Sequence, residues 1–384
     1  MTTLIASREH WLNAVDGIVD QLERGAPAAE LSGEPTAEVV KALCDAGLMD
    51  LKAPREVGGA EADWPLQIAV FEKVAYHNLA AAWCLMLYVD NTGKAAAFLP
   101  DEGLARLCDG GPLPAVCGGG GLMMGELTPV EGGYRLSGRW IYGSGIHQAQ
   151  FVQMTARVVG GGPEVIQCVV PRAQLQLVDN WQVMGLKGTG SCDFIADDIF
   201  VPAEMTYVAG STARRGGALF RLGTFGYAGL CMPAVMVGAA RRALDDLGAM
   251  AAAKSRGYAV KTTLAERGAF QAFLGAADLK LKAARALTID MGKRLLADAE
   301  RLGNSPERNE AEARAVGTYC SDVTVEVMNR IVAYAGGEGI RAGHRFERTL
   351  RDLQTAATHM FVSDIAYETH ARFVMDLPDV KMVA

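Results

Sequence analysis

The apolar residues of this chain follow a helical period at both ends and a period of two in the middle. That change of period limits the fold more than any single motif. In TAEVVKALCDAGLMDL, Val39, Val40, Leu43 and Leu48 fall near helical spacing, and residues 63–78 repeat the pattern at Leu66, Val70, Phe71 and Val74. Gly58-Gly59 and Asn91-Thr92-Gly93 are read as breaks. From about Pro112 to Tyr207 the pattern alternates, with Tyr134, Leu136, Gly138 and Trp140 on one face of YRLSGRW, followed by FVQMTARVV, EVIQCVV, LQLV and FIADDIFV. Long helical runs return at 226–252, 265–300, 310–335 and 346–375, with Gly303 and Gly336-Gly337 at helix ends. The expected fold is α+β: an N-terminal helical domain over 1–111, a central antiparallel β-sandwich or barrel over 112–212, and a C-terminal four-helix bundle over 213–384. No helix-length insert separates the strands, which argues against a doubly wound sheet.

A chain of 384 residues can bury two or three cores. Its 44 acidic and 37 basic side chains leave a net charge of −7, which offers no footprint for a polyphosphate, so no nucleic-acid partner is expected. No membrane partner is expected either: the longest uncharged stretch, Leu222 to Ala240, is interrupted by Pro233 and by Gly223, Gly226, Gly229 and Gly238. The eight cysteines are scattered singly, without a CxxC pair, and the N-terminus shows no basic region followed by an apolar one. A reduced, cytoplasmic setting is the expectation.

Taken singly, the local motifs decide little. The glycine run from Cys117 to Gly121 lacks the Lys-Ser/Thr of a phosphate loop and reads as a turn. GLKGTG, 185–190, spaces its glycines in the reverse of the dinucleotide fingerprint. The six histidines form no HExxH or Glu-x-x-His pattern, so no metal is expected. Ser144 in Tyr142-Gly143-Ser144-Gly145 misses the GxSxG elbow of a serine hydrolase.

The order of the segments, with GGYRLSGRWIYGSG and WQVMGLKGTGSCDFIADDIFVP both in the β region, resembles the acyl-CoA dehydrogenase superfamily over nearly the whole chain. The second motif carries most of the resemblance, through Trp181, Gly185, Leu186, Lys187, Gly188, Thr189, Gly190, Ser191, Asp197, Asp198, Phe200, Val201 and Pro202. The resemblance implies a flavin, FAD or FMN. Tyr142 takes the place of the aromatic residue beside its ring and Ser144 that of a hydroxyl near N5. Thr189 and Ser191 lie near the phosphates. Gly336 and Gly337 of AYAGGEGIR take the place of a glycine pair that approaches the pyrophosphate from a neighbouring subunit. A homo-oligomer, dimer or tetramer, follows from that last role. Bare glycine backbone suits a phosphate, although a helix C-cap is the plain alternative.

The chain departs from a dehydrogenase of that family at its bases. Such an enzyme needs a carboxylate for the α-proton, but neither the segment after Arg351-Asp352 nor Arg221 to Tyr227 holds one. RDLQTAATH resembles instead the flavin-dependent monooxygenase branch, in which reduced flavin comes from a separate reductase and one oxygen atom passes to a small-molecule substrate. His359 is then the expected acid/base group, held on a bundle helix with Thr355 one turn before it. Asp352, two turns back, is expected to orient something other than the imidazole. A satisfied bundle histidine is the structural alternative for His359, and His147, after the Ser144 turn, is the competing base. Two other functions stay open: an acyl-thioester dehydrogenase with a relocated base, and a non-enzymatic flavoprotein.

Overall fold

A computed structural model describes residues 7–118, 123–256 and 262–382, and places them in two compact units. Gly119, Gly120 and Gly121 of the glycine run lie outside the described residues. The first unit comprises Met1–Gln67, Ala80–Val183 and Lys187–Arg221; the second comprises Ile68–Leu79, Met184–Leu186 and Leu222–Ala384.

The first unit opens with α1 (Arg8–Asp16), α2 (Val19–Ser32) and α3 (Ala37–Asp45). Ser7 and Thr36 cap α1 and α3 by accepting the amide protons of His10 and Val39, and Gly33, at φ 77°, closes α2. After α4 (Trp64–His77), which begins in this unit and continues in the second, come α5 (Leu79–Phe98) and α6 (Asp101–Cys108). α5 runs through Asn91-Thr92-Gly93 without a break. Asn91 Nδ2 bonds the Leu87 carbonyl and Thr92 Oγ1 that of Pro114, while burial of Ala95, Ala96 and Ala97 outweighs the turn preference of the tripeptide. Lys52, fully buried, pairs with the Asp90 carboxylate and lies 4.8 Å from the Trp64 ring centroid. Such a pair adds little net stability but is costly to break.

Eight strands form one sheet: β1 (Val116–Gly118), β2 (Gly125–Val130), β3 (Gly133–Trp140), β4 (Phe151–Val158), β5 (Ile166–Pro171), β6 (Gln176–Val178), β7 (Asp193–Pro202) and β8 (Thr206–Val208). Their order is β6-β7-β3-β2-β4-β5-β8, with β1 beside β4. The pairings are antiparallel except β1 with β4 and β2 with β4, which makes the sheet mixed where an antiparallel one is expected. The cause is the segment 141–150, which is too long for a hairpin and carries the chain from β3 across β2 to its far side, where β4 runs parallel to β2.

In the second unit a π-helical turn, Phe225–Gly229, leads into α7 (Cys231–Ala253), followed by α8 (Gly268–Leu302), α9 (Glu307–Ala335), α10 (Arg345–Ala356) and α11 (Ile365–Val374). Gly238 brings α7 against α4: a Cβ there would stand 2.3 Å from the Glu72 carbonyl oxygen. The expected fourth bundle helix is two helices, interrupted by a 3-10 turn at Met360–Val362. No helix among the described residues is long and apolar enough to cross a membrane.

Candidate active site

Strand β3 ends on Trp140, whose indole stacks on Phe194 at 5.6 Å and donates Nε1–H to the Thr155 carbonyl. From that anchored end the chain turns into Tyr142-Gly143-Ser144-Gly145. Tyr142 has φ 62°, a conformation that is strained for an aromatic residue, and the residue is 58% exposed. Trp181 meets the ring edge-on at 6.1 Å. Gly145 has φ 78°, and a Cβ there would stand 2.3 Å from the Tyr88 hydroxyl, which donates to the Gly145 carbonyl at 2.6 Å. Both the backbone conformation and the close approach require glycine at this position.

The two β-region motifs come together here. Gly145 N–H reaches the Thr189 carbonyl at 2.7 Å and Gly143 N–H that of Cys192 at 3.0 Å. Ser144 Oγ and Thr189 Oγ1 each stand 2.6 Å from Ser191 Oγ, so three buried hydroxyls form a chain with Ser191 in the middle. Each hydroxyl brings one proton, and the chain can be polarised either way. When Ser191 donates to Ser144, the Ser144 proton is released for another acceptor.

His147 is committed elsewhere in the same unit. Its Nδ1 is 2.8 Å from Glu34 Oε2 and its Nε2 3.6 Å from Cys192 Sγ. The imidazole therefore joins α2's trailing segment to the β7 approach.

In the second unit Gly336 ends α9 at φ 65° and ψ −155°, a combination open essentially to glycine, and a Cβ on Gly337 would meet open space. Lys254 Nζ lies 2.5 Å from the Ala335 carbonyl and 3.1 Å from Glu338 Oε2, which puts a cation beside the exposed glycine backbone. Sequence reasoning missed Lys254, which stands far from the glycines along the chain.

His359 does not lie on a helix. α10 stops at Ala356, and His359 is extended, at φ −69° and ψ 139°, as the N-cap of the Met360–Val362 turn. Its Nδ1 accepts the Phe361 amide proton at 3.2 Å, which leaves the ring proton on Nε2. Burial pulls its pKa from 6.5 to about 4, so the half-buried imidazole is neutral at pH 7. The phenyl ring of Phe361 stands perpendicular to it at 5.2 Å.

Asp352 is buried and accepts Leu186 N–H at 2.6 Å, while Arg351 donates to the Met184 carbonyl at 2.6 Å. The Arg-Asp pair thus grips the backbone of GLKGTG, in agreement with the expectation that Asp352 orients something other than the histidine. Two further buried charges escaped the sequence reading. Glu310 accepts the amide protons of Gly223 at 2.9 Å and Gly226 at 2.6 Å, and Arg314 Nη2 donates to the Met360 carbonyl at 2.6 Å. Their i, i+4 spacing within EAEARAVG was the available signal, and in sequence it resembles an ordinary surface pair.

The family model of the acyl-CoA dehydrogenase N-terminal domain matches residues 13–97, and that of the acyl-CoA dehydrogenase C-terminal domain matches 230–364. A pigment production hydroxylase of Rhodococcus sp. is 27% identical over 384 residues, spanning 97% of this chain and 98% of its own. The oxygenase component of an FADH2-dependent resorcinol hydroxylase of Rhizobium sp. is 29% identical over 243 residues, 60% of this chain and 59% of its own. Among solved structures, XiaF from Streptomyces sp., in complex with FADH2 and glycerol, superposes with a TM-score of 0.88 at 20% identity, covering 98% of both chains. That likeness speaks to the fold, and the family models and relatives to descent. The chain belongs to the acyl-CoA dehydrogenase superfamily, and the relatives it resembles are hydroxylases, one of them an FADH2-dependent oxygenase component.

Proposed function

We propose that this chain is the oxygenase component of a two-component flavin-dependent monooxygenase acting on an aromatic, heteroaromatic or amine small molecule. One observation carries the reading. In the segment after Arg351-Asp352, where an acyl-thioester dehydrogenase needs a carboxylate, stands His359, a neutral imidazole with its proton on Nε2. Such a group donates a hydrogen bond to oxygen and is a poor base for an α-carbon.

The residues fit a flavin. Tyr142 keeps an exposed ring at the cost of backbone strain, and Ser144 ends a hydroxyl chain that can present a proton. In this reading Tyr142 and Ser144 would hold the redox-active ring of the flavin, and Thr189 and Ser191 its phosphate side. Gly336 and Gly337 serve the pyrophosphate of a neighbouring subunit in a homodimer or homotetramer. Reduced FAD or FMN, delivered by a separate reductase, supplies the electrons that activate dioxygen. One oxygen atom enters the substrate as a hydroxyl and the other leaves as water, with two electrons and two protons coming from the reduced flavin. His359 would donate a hydrogen bond from Nε2–H to the departing oxygen and Ser144 one from Oγ, while both protons of the water come from the reduced flavin. The resorcinol hydroxylase relative, named as an FADH2-dependent oxygenase component, supports an aromatic substrate and a separate reductase. Eight free cysteines agree with a cytoplasmic setting.

The dehydrogenase alternative needs a relocated carboxylate base. Glu310 reaches the Gly223–Gly226 segment, but its oxygens already hold two amide protons and the Ser305 hydroxyl. It is committed to structure. To test the proposal, the purified chain is given reduced FAD or FMN and 18O-labelled dioxygen with a panel of phenols, indoles and aromatic amines. A product carrying one labelled atom is expected. Anaerobic bleaching of bound oxidised flavin by an acyl-CoA, with no oxygenated product from the panel, would overturn it.

A further inference from the structure

α9 carries three polar residues on one face at i, i+4 and i+8: Glu310, 5% exposed, and Arg314 and Thr318, each 2% exposed. Their neighbours on the helix are largely alanine and valine. Burying a guanidinium and a carboxylate in such a bundle is expensive unless each meets fixed partners.

The partners converge on one place. Arg314 Nη2 donates to the Met360 carbonyl at 2.6 Å and to Ser363 Oγ at 3.4 Å, and Thr318 Oγ1 donates to the Ser363 carbonyl at 3.2 Å. The turn that follows His359 is therefore tied to α9 at its first residue and just past its last. The Arg314 guanidinium also lies 4.7 Å from the Phe225 ring centroid, and Phe225 packs edge-on against Phe361 at 5.0 Å. Phe225 in turn belongs to the π-helical turn, and Glu310 holds Gly223 just before that turn and Gly226 within it. Phe361 provides both the amide that fixes His359 Nδ1 and the ring against which the imidazole stands.

We propose that Arg314 and Thr318 are positioning residues for His359. They hold the 360–363 turn so that the Phe361 amide meets Nδ1 and the imidazole presents its proton from Nε2 alone, with Phe225, whose own turn Glu310 holds, packed against Phe361. The inference rests on the reading of His359 as a proton donor, but its structural half can be tested apart from that chemistry.

The test uses 15N-histidine-labelled protein, with the His359 signals assigned by their loss in His359→Asn. Wild type should show a single tautomer with an unprotonated Nδ1. Arg314→Met, close in volume and uncharged, should show mixed tautomers at His359, and Thr318→Val a smaller shift in the same direction. In turnover with reduced flavin, Arg314→Met should lose about tenfold to a hundredfold of oxygenated product per dioxygen consumed, because a proton donor out of line forfeits that much. Reduced-flavin affinity should hold within about twofold, since the turn carries none of the residues assigned to the flavin. Combined with His359→Asn, the Arg314→Met loss should vanish, as expected when one residue acts through the other. If Arg314→Met fails to fold, Thr318→Val carries the test alone. An unchanged tautomer with undiminished product yield in whichever variant folds overturns the proposal. So do product losses that add to those of His359→Asn. Should wild type oxygenate nothing while the tautomer still shifts, the positioning stands and the functional reading falls.

Discussion

Asp352 holds Leu186 by a hydrogen bond of 2.6 Å from the backbone amide to Oδ1, joining residues 166 positions apart. The carboxylate is buried, and beside it Arg351 holds the Met184 carbonyl while Glu347 holds Arg351. The Arg-Asp pair serves to fix the first residues of the GLKGTG loop, from which the chain continues to Thr189 and Ser191.

Asp352→Ala strips a buried acceptor from the Leu186 amide. It should destabilise the protein by about 1–3 kcal/mol, the penalty for a buried polar group that loses its partner. Asp352→Asn keeps an acceptor oxygen and should recover part of that loss. Urea denaturation of the three proteins decides it; equal midpoints for wild type and Asp352→Ala would show that the bond contributes nothing.

Gly185 permits the same contact. A Cβ at this position would lie 2.1 Å from the Arg351 carbonyl oxygen, a backbone atom with no freedom to rotate away. Gly185→Ala should cost about 1–3 kcal/mol through forced displacement of the loop from α10. A melting temperature within a degree of wild type would count against the close approach.

The motif segments 142–145 and 185–192 were legible because glycine and aromatic residues at fixed spacing mark strained turns, and the structure shows why Gly145 and Gly185 tolerate nothing larger. The helix–β–helix order was legible from period alone. The break before His359 was not: AATHMFV contains no glycine or proline, and the helix ends because the His359 ring caps the following turn and Arg314 draws in the Met360 carbonyl. These are tertiary causes. The Glu310 and Arg314 roles were hidden for a related reason, since an i, i+4 pair of opposite charge says nothing about burial until the helix is packed. The parallel run of β2 with β4 depends on a crossover through 141–150, whose path no local pattern specifies.

The depressed pKa of His359 has a signed consequence. With about 4 in the folded protein against 6.5 for an unperturbed imidazole, the unfolded state takes up the proton first as pH falls. The folded state therefore loses stability between pH 6.5 and about 4, and the loss levels off below that. His359→Asn lacks this loss, so its melting temperature relative to wild type should rise as pH drops through this window. NMR titration of the His359 ring in wild type should place its midpoint below pH 5, within about a unit of the depressed value. A midpoint near 6.5 would mean that the ring sits in water and is as ready a base as any surface histidine.

The assignment of chemistry to the second unit's histidine rather than the first unit's is decided by a pair of substitutions. His147 already engages Glu34 at 2.8 Å and lies 3.6 Å from the Cys192 thiol, a linking role whose loss should appear in stability. His147→Ala should lower the melting temperature while retaining oxygenated product per folded molecule within about threefold, because a proton donor elsewhere is untouched. His359→Ala should keep the fold and the reduced-flavin affinity but lose product by about 10²- to 10⁴-fold, the usual contribution of a positioned proton-transfer group. Dioxygen should still be consumed and released as hydrogen peroxide, since electron delivery does not pass through the imidazole. Measuring product, peroxide and melting temperature on the same preparations separates the two histidines. The opposite pattern, with His359→Ala fully active and His147→Ala inactive but folded, would move the proton donor to the turn beside Ser144 and leave His359 as a capped bundle residue.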